Sequence, residues 1–480
     1  MTTAGKIEEH LVIGGGPAGA MAAIKLVEAG CPVTLVEKER GAHQKVCGEF
    51  LSGEAVAYLQ QIGVVPSLLG ANSIRSLRVS VRRKAMETAL PFPAQSLSRH
   101  LLDAALLERA EAAGCQVRRG AYVENLSACG GIWLAKLSGG ETLRARTVFL
   151  ASGKHDLRGW NRPEGGQADL VGFKMHWRLA SAQISALRNF MELFLFAGGY
   201  GGLSLVESDV ANLCFVVRRG VLRETGGWSA LLRSILDGNL LLKERMAGAE
   251  PLGARPLAIS SIPYGYLAGK SRGLWRVGDQ AAVIPSFTGD GMSIALHSAA
   301  MAAQMYLAGL SANEYLRCLR AQLGRGMTVA TWLSRAMVTS AGRNAAPLVL
   351  SLIPCAMQWI AASTRIPERA LAGVGGGELL RPGPVALSNT PRAKPTPSGA
   401  RGATAEAGRI PGAWRSLRPG SERLQRGGQY RSEVRQSGAR PKSLSCRAPS
   451  RGAVEKAHRR TSRARARQFR PQSHSGRRLA

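Results

Sequence analysis

Residues 10–37, HLVIGGGPAGAMAAIKLVEAGCPVTLVE, read as strand, glycine turn, helix, second strand and a closing carboxylate. Leu11 to Ile13 supply a short apolar strand, and Gly14, Gly16 and Gly19 fall at G-x-G-x-x-G spacing. The first glycine permits a tight turn, the second lets a pyrophosphate approach the backbone, and the third lets the helix pack on the strand. Pro17 at a first helical position gives up no needed hydrogen bond, and the free N–H groups around it face an anion. The helix is expected over 18–29 with Gly30 ending it, and 32–36 form a buried second strand. Glu37 closes the unit about 20 residues past the glycines, where a carboxylate accepts hydrogen bonds from ribose hydroxyls and repels a 2'-phosphate. Together these features predict a dinucleotide site, for FAD or NAD.

Downstream, 41–48 is a polar loop bounded by glycines, 52–62 has helical periodicity, and 74–82 alternates as a strand before a turn at Pro91–Pro93. SLSRHLLDAALLERAEAAG, 96–114, reads as an amphipathic helix capped by Ser96 or Ser98. Strands at 115–118, 121–128, 132–137 and 147–151 return the chain to a parallel sheet. From 169 to 265, glycine-separated strand-like runs predict an antiparallel second sheet whose Phe173, Trp177, Phe194, Phe196 and Phe215 either pack as its core, the reading favoured for each one singly, or together cover a hydrophobic substrate, with His176 structural. A strand at 274–277, the Gly278-Asp279 turn, a loop at 285–291 and a long alanine-rich helix from Met292 follow. An aspartate at a strand end can bind a polyol, and a helix start at Gly291 can face an anionic ring edge.

The fold class expected is α/β: a Rossmann-like nucleotide-binding domain in two parts (1–168 and 266–310), an antiparallel-sheet substrate domain (169–265), C-terminal helices (311–375) and a disordered basic tail (376–480). Residues 381–480 hold 24 of the 64 Lys+Arg and 4 of the 32 Asp+Glu, so most of the net charge of +32 belongs to the tail. That segment lacks the apolar residues to build a core and the aromatics of a stacking platform, so nucleic-acid binding is disfavoured. Its arginine-heavy mixture is also what a GC-rich coding region read out of frame yields. Eight scattered cysteines show no metal-ligand rhythm, so no metal is expected, and a reduced, cytoplasmic setting fits them. The apolar run 344–363 is interrupted by Pro347, Pro354 and Gln358, which argues for a packed helix, with a peripheral lipid contact as the alternative.

Three blocks, GGGPAG with Glu37, SRHLLD (98–103) and GDQAAVIPSFTGDGMSIAL (278–296), resemble in order and spacing the FAD-dependent oxidoreductases of the geranylgeranyl reductase and aromatic-ring hydroxylase superfamily. The likeness runs from about Leu11 to Ile366. It implies FAD as cofactor, with Gly14, Gly16, Pro17, Ala18 and Gly19 at the pyrophosphate, Glu37 and Lys38 at the adenosine ribose and Val123 at the adenine. It further implies Arg99 on the phosphates or ribityl chain, Gly153, Gly278 and Asp279 along the ribityl, and Pro285, Gly289, Gly291 and Met292 along the isoalloxazine. The loop 45–52, KVCGEFLS, resembles the reductases' cysteine-glycine loop and makes Cys47 the catalytic candidate, although Glu49 stands where a further glycine is expected. Ala151-Ser152-Gly153-Lys154 replaces the hydroxylases' Asp-Gly pair, and the halogenases' W-x-W-x-I-P motif is absent. The resemblance implies a reductase of a hydrophobic isoprenoid or polyketide-like small molecule, or alternatively a monooxygenase, with NAD(P)H or another electron donor.

Overall fold

The computed structural model describes residues 7–352, 356–367 and 370–371. The nucleotide-binding unit opens with β1 (Ile7–Ile13), α1 (Pro17–Glu28) and β2 (Val33–Glu37). Then come β3 (Phe50–Ser52), α2 (Gly53–Gln61), β4 (Asn72–Val81), β5 (Lys84–Ser96), α3 (Arg99–Ala112), β6 (Gln116–Arg119), β7 (Val123–Cys129), β8 (Ile132–Leu137) and β9 (Thr142–Leu150). β1 lies between β2 and β9, parallel to both, with Val12 opposite Leu35 and Phe149. The full order is β6-β2-β1-β9-β8-β7. The apolar runs of β1, β2 and β9 have no water-facing alternation because both faces are covered: Val12, Leu35 and Phe149 are buried with residues of α1 and α3, and Leu11 and Val148 with Leu126, Trp133 and Trp160 of β7, β8 and the loop after β9. α3 begins as its sequence requires, with the Ser98 side chain accepting the Leu101 N–H at 3.3 Å.

The second sheet is built from β10 (Leu170–Arg178), β11 (Asn189–Phe196), β12 (Gly199–Leu205) and β13 (Ala211–Arg218), with helices α4 (Ser181–Leu187), α5 (Arg219–Thr225), α6 (Trp228–Gly238) and α7 (Leu240–Arg245). Short strands β14 (Glu250–Pro251) and β15 (Leu257–Ser260) complete one side. The segment 169–265 does not make this sheet alone: β4, β5 and β3 extend it, and β11 runs parallel to β4, with Met191 opposite Leu77 and Leu193 opposite Val79. The sheet is therefore mixed rather than antiparallel throughout. A parallel pairing over so long a sequence separation leaves no local period to read.

The turn expected at Pro91–Pro93 is also absent, because both prolines lie inside β5. The register jumps from Ser76 opposite Ala89 to Ile74 opposite Ala94, so residues 90–93 bulge from the ladder, where a missing N–H costs no bond. Of the two roles open to the aromatic residues, core packing is the one found for most: Phe173, Trp177, Phe194, Phe196 and Phe215 pack under α6, with Trp228 stacked on Phe215 at 5.6 Å.

The chain returns through β16 (Tyr266–Leu267), β17 (Trp275–Arg276), which adds to the first sheet beside β9, and β18 (Ala282–Val283). The helices α8 (Gly291–Leu307), α9 (Ala312–Met337), α10 (Ser340–Leu352) and α11 (Ala356–Ser363) follow. α8 lies along α1, while α10 and α11 rest on β5. Among the described residues no helix is long and apolar enough to cross a membrane, no cluster of metal-ligating side chains occurs, and six cysteines are free thiols. Pro354, Cys355, Cys446 and the expected tail at 376–480 lie outside the described residues.

Candidate active site

A cavity of about 1030 Å³ runs from the C-terminal ends of β1 and β2 across to β11, β12 and β13. At its first end the glycine loop divides its duties. Gly14 has φ +106 and abuts Ala151, and a Cβ at Gly19 would collide with the Gly14 carbonyl oxygen. Gly19 is therefore a packing residue that does not reach the cavity. Gly16 faces the cavity, with Pro17 and Ala18 beside it; the neighbours of a Cβ there would be Arg99 Nη2 at 3.4 Å and Lys45 Nζ at 4.0 Å. Two cations thus meet the positive end of α1, a donor set suited to a pyrophosphate. Glu37 is 5 % exposed, and its carboxylate accepts the Gly15 N–H at 2.6 Å and the Glu39 N–H at 3.1 Å, which braces the glycine turn. Lys38, Val123 and Gly153 share this end of the cavity.

Arg99 forms a two-pronged pair with Asp103, at 2.7 and 2.8 Å, and Lys45 adds a third bond to that carboxylate at 3.0 Å. Burial opposes the Asp103 charge, yet Arg99 and Lys45 hold its carboxyl below the usual range. His155 is held below the ordinary imidazole value, first by burial and then by Lys38, Arg162, Lys154 and Lys45 around it. This end of the cavity is electropositive.

At the middle, Gly278 (φ +59) donates its N–H to Ser298 Oγ at 2.9 Å and presses on Ala18, which locks α1, α8 and the Asp279 turn together. Asp279, Gly289, Gly291 and Met292 line the cavity at the start of α8, whereas Pro285 sits behind the lining. Asp290 is buried beside them; burial pushes its carboxyl up to about 6, against the pull of Arg365 at 2.8 Å.

The cysteine loop crosses the cavity. Cys47 lines it, its Sγ accepting the Glu49 N–H at 3.3 Å and its carbonyl accepting Asn212 Nδ2 at 3.1 Å. Glu49, the departure from the glycine pattern, is fully buried at φ +58. Its oxygens take Lys174, His176 at 2.8 Å and the Arg99 N–H at 2.8 Å. Burial works against its charge, but the bond from His176 and the Lys174 ammonium hold its carboxyl below the usual range. One carboxylate thereby ties the loop, the start of α3 and β10 together.

Beyond the loop the lining turns apolar: Leu77, Val79, Leu90, Phe92, Met191 and Leu193 on the sheet side, Met337, Ala346, Met357 and Ile360 on the helix side. Tyr200 and Tyr264 stand at the junction, where burial raises both hydroxyls. The sequence reading missed Lys45, Lys154, Lys174 and these tyrosines. Lys154, directly after Ser152-Gly153, is the one of them with a local signal.

The convergence of cations, helix start and unobstructed glycine fits a dinucleotide cofactor. A model of the FAD binding domain matches residues 9–187. The chain is 26% identical over 302 residues to digeranylgeranylglycerophospholipid reductase 2 of Methanopyrus kandleri, covering 60% of this chain and 73% of that protein. It is 27% identical over 354 residues to menaquinone reductase of Mycolicibacterium smegmatis, covering 68% and 83%. Among solved structures it shares the fold of the myxobacterial chondrochloren halogenase CndH, with TM-score 0.61 and 18% identity over 79% of this chain and 99% of that one. It also shares that of PqsL from Pseudomonas aeruginosa, with TM-score 0.57 and 19% identity over 72% and 100%. These likenesses are to FAD-dependent oxidoreductases and monooxygenases: the chain carries an FAD binding domain over residues 9–187, it is an enzyme, and its cofactor is FAD.

Proposed function

We propose that the protein is a reductase that saturates a carbon–carbon double bond in an isoprenoid or similarly apolar small molecule. The observation that carries this reading is the apolar arm of the cavity between β4, β5, β11 and the C-terminal helices. A polar metabolite would leave its hydrogen bonds unmade there, whereas an alkyl chain gains roughly 25 cal/mol for each Å² withdrawn from water. Two relatives, named as reductases of a digeranylgeranylglycerophospholipid and of menaquinone, support it.

When bound, FAD supplies the hydride equivalent. Gly14, Gly16 and Glu37 hold the dinucleotide, and Lys45 and Arg99 neutralise its phosphates. The start of α8 at Gly291 lines the cavity and would stabilise negative charge on the cofactor's ring system. Cys47, on the loop that crosses the cavity, would pass a proton, and the apolar arm would align the chain and exclude water. To test this, the bound flavin is reduced anaerobically with dithionite, the excess dithionite is removed, and geranylgeraniol is added. Mass spectrometry should find product carrying two added hydrogens, and Cys47→Ser should slow its formation. An oxygenated product on admission of air, with no hydrogenated one, would overturn the reading in favour of a monooxygenase.

A further inference from the structure

We infer that α9, α10 and α11 form a docking surface for an anionic lipid bilayer and that the apolar arm opens onto it, so that substrate enters from lipid. The inference rests on the reading of the substrate as apolar. Trp332 is 69% exposed, Leu348 63%, Val349 45% and Trp359 63%, so four of the large hydrophobic side chains most open to water share these three helices. The inward faces of the same helices, through Leu333, Met337, Ala346, Met357 and Ile360, wall the cavity. Trp332 and Val349 belong to both sets, so an alkyl chain can pass from the cavity to the surface without crossing a polar boundary.

Two further observations choose lipid as the occupant. Tryptophan, with an apolar ring and one N–H, is the side chain suited to the headgroup level of a membrane. From Tyr315 to Pro367 the chain carries six arginines and no aspartate or glutamate. Arg365 is engaged by Asp290 and Glu54 and Arg317 by Glu314 at the start of α9, which leaves Arg320, Arg325, Arg335 and Arg343 without a carboxylate partner among the described residues to attract anionic headgroups. Because no described helix is a spanning one, the contact is an in-plane one.

The full, FAD-loaded chain is mixed with phosphatidylcholine vesicles with and without phosphatidylglycerol, and bound protein is measured by flotation. Binding should require the anionic lipid, and the Trp332→Ala/Trp359→Ala double variant should partition roughly tenfold more weakly, as expected for two lost interfacial aromatics. Leu348→Glu, which puts an acid on the acid-free face, should weaken binding as well. Retained flavin colour and an unchanged melting temperature show that the variants fold. The basic tail is intact in every variant, so undiminished binding by both would mean that the tail alone attracts lipid and would overturn the inference. Absence of any vesicle binding would overturn it too, as would a wild-type dimer in light scattering that the double variant turns into a monomer. Flotation needs no turnover, so the inference survives or fails separately from the reductase reading.

Discussion

A carboxylate with no exposure to water needs a donor for each oxygen, and Glu49 finds them on Lys174, His176 and the Arg99 N–H. Glu49→Gln would leave the Lys174 ammonium buried without its counter-charge, so unfolding free energy at neutral pH should fall by about 3 kcal/mol in denaturant melts. The folded-state pKa lies below the unfolded one, so this stabilisation is complete above the usual carboxylate range and is lost as pH falls through the folded value. The melts of wild type and variant should converge in acid. The glycines separate function from packing just as sharply. A Cβ at Gly16 meets nothing closer than Arg99 Nη2 at 3.4 Å, so Gly16→Ala should fold normally and bind FAD roughly tenfold or more weakly, measured by fluorescence titration. Gly19→Ala drives a methyl into the Gly14 carbonyl, and should cost about 2 kcal/mol or more of stability whether or not FAD is present. The glycines, Glu37 and Arg99 were legible in the sequence because their roles follow from fixed offsets within one strand-turn-helix unit or from one recognisable block. Lys45 and Lys174 were not, since a lone lysine has no spacing; only the fold brings it to a phosphate site or to Glu49.

At the scale of elements, the hydrophobic period placed most helices and strands within a few residues but could not assign strands to sheets. β4 is legible as extended chain, whereas β5 is not, because its Pro91 and Pro93 read as a turn; the place of both in the second sheet depends on a parallel partner of β4 more than a hundred residues away. This matters for function, because β4, β5, β11 and β12 together shape the apolar arm. Gly202 on β12 faces it, and a Cβ there would lie 3.4 Å from Met191 Sδ and 3.5 Å from Leu193 Cδ2, which are ordinary contacts. Gly202→Leu should therefore fold, and its branched side chain should occupy the arm. Reduction rates measured across prenyl alcohols of rising length should drop most for the longest, by roughly tenfold, the worth of a methylene or two of excluded chain. Equal loss at every length would mean that the arm does not hold the chain.

On the scale of the whole molecule, the cavity takes its walls from both sheets: Ile13, Glu37 and Val123 from the first, Leu193, Gly202 and Val216 from the second. A ligand that needs both walls binds only when both are folded, so its binding free energy stabilises them as a unit. At a free FAD concentration of about 100 times Kd this adds roughly 2.7 kcal/mol. Hydrogen exchange followed by mass spectrometry resolves the effect by element. Amides of β1 (Ile7–Ile13) and of β12 and β13 (199–218) should gain protection together as FAD is added, although the described glycine loop lies wholly on the first sheet's side. Gly16→Ala should weaken both gains equally. Protection confined to β1 and β2 would mean that the second sheet opens independently of the cofactor; the apolar arm would then form without the dinucleotide end, and the two halves of the cavity could not present a flavin and an apolar chain to one another.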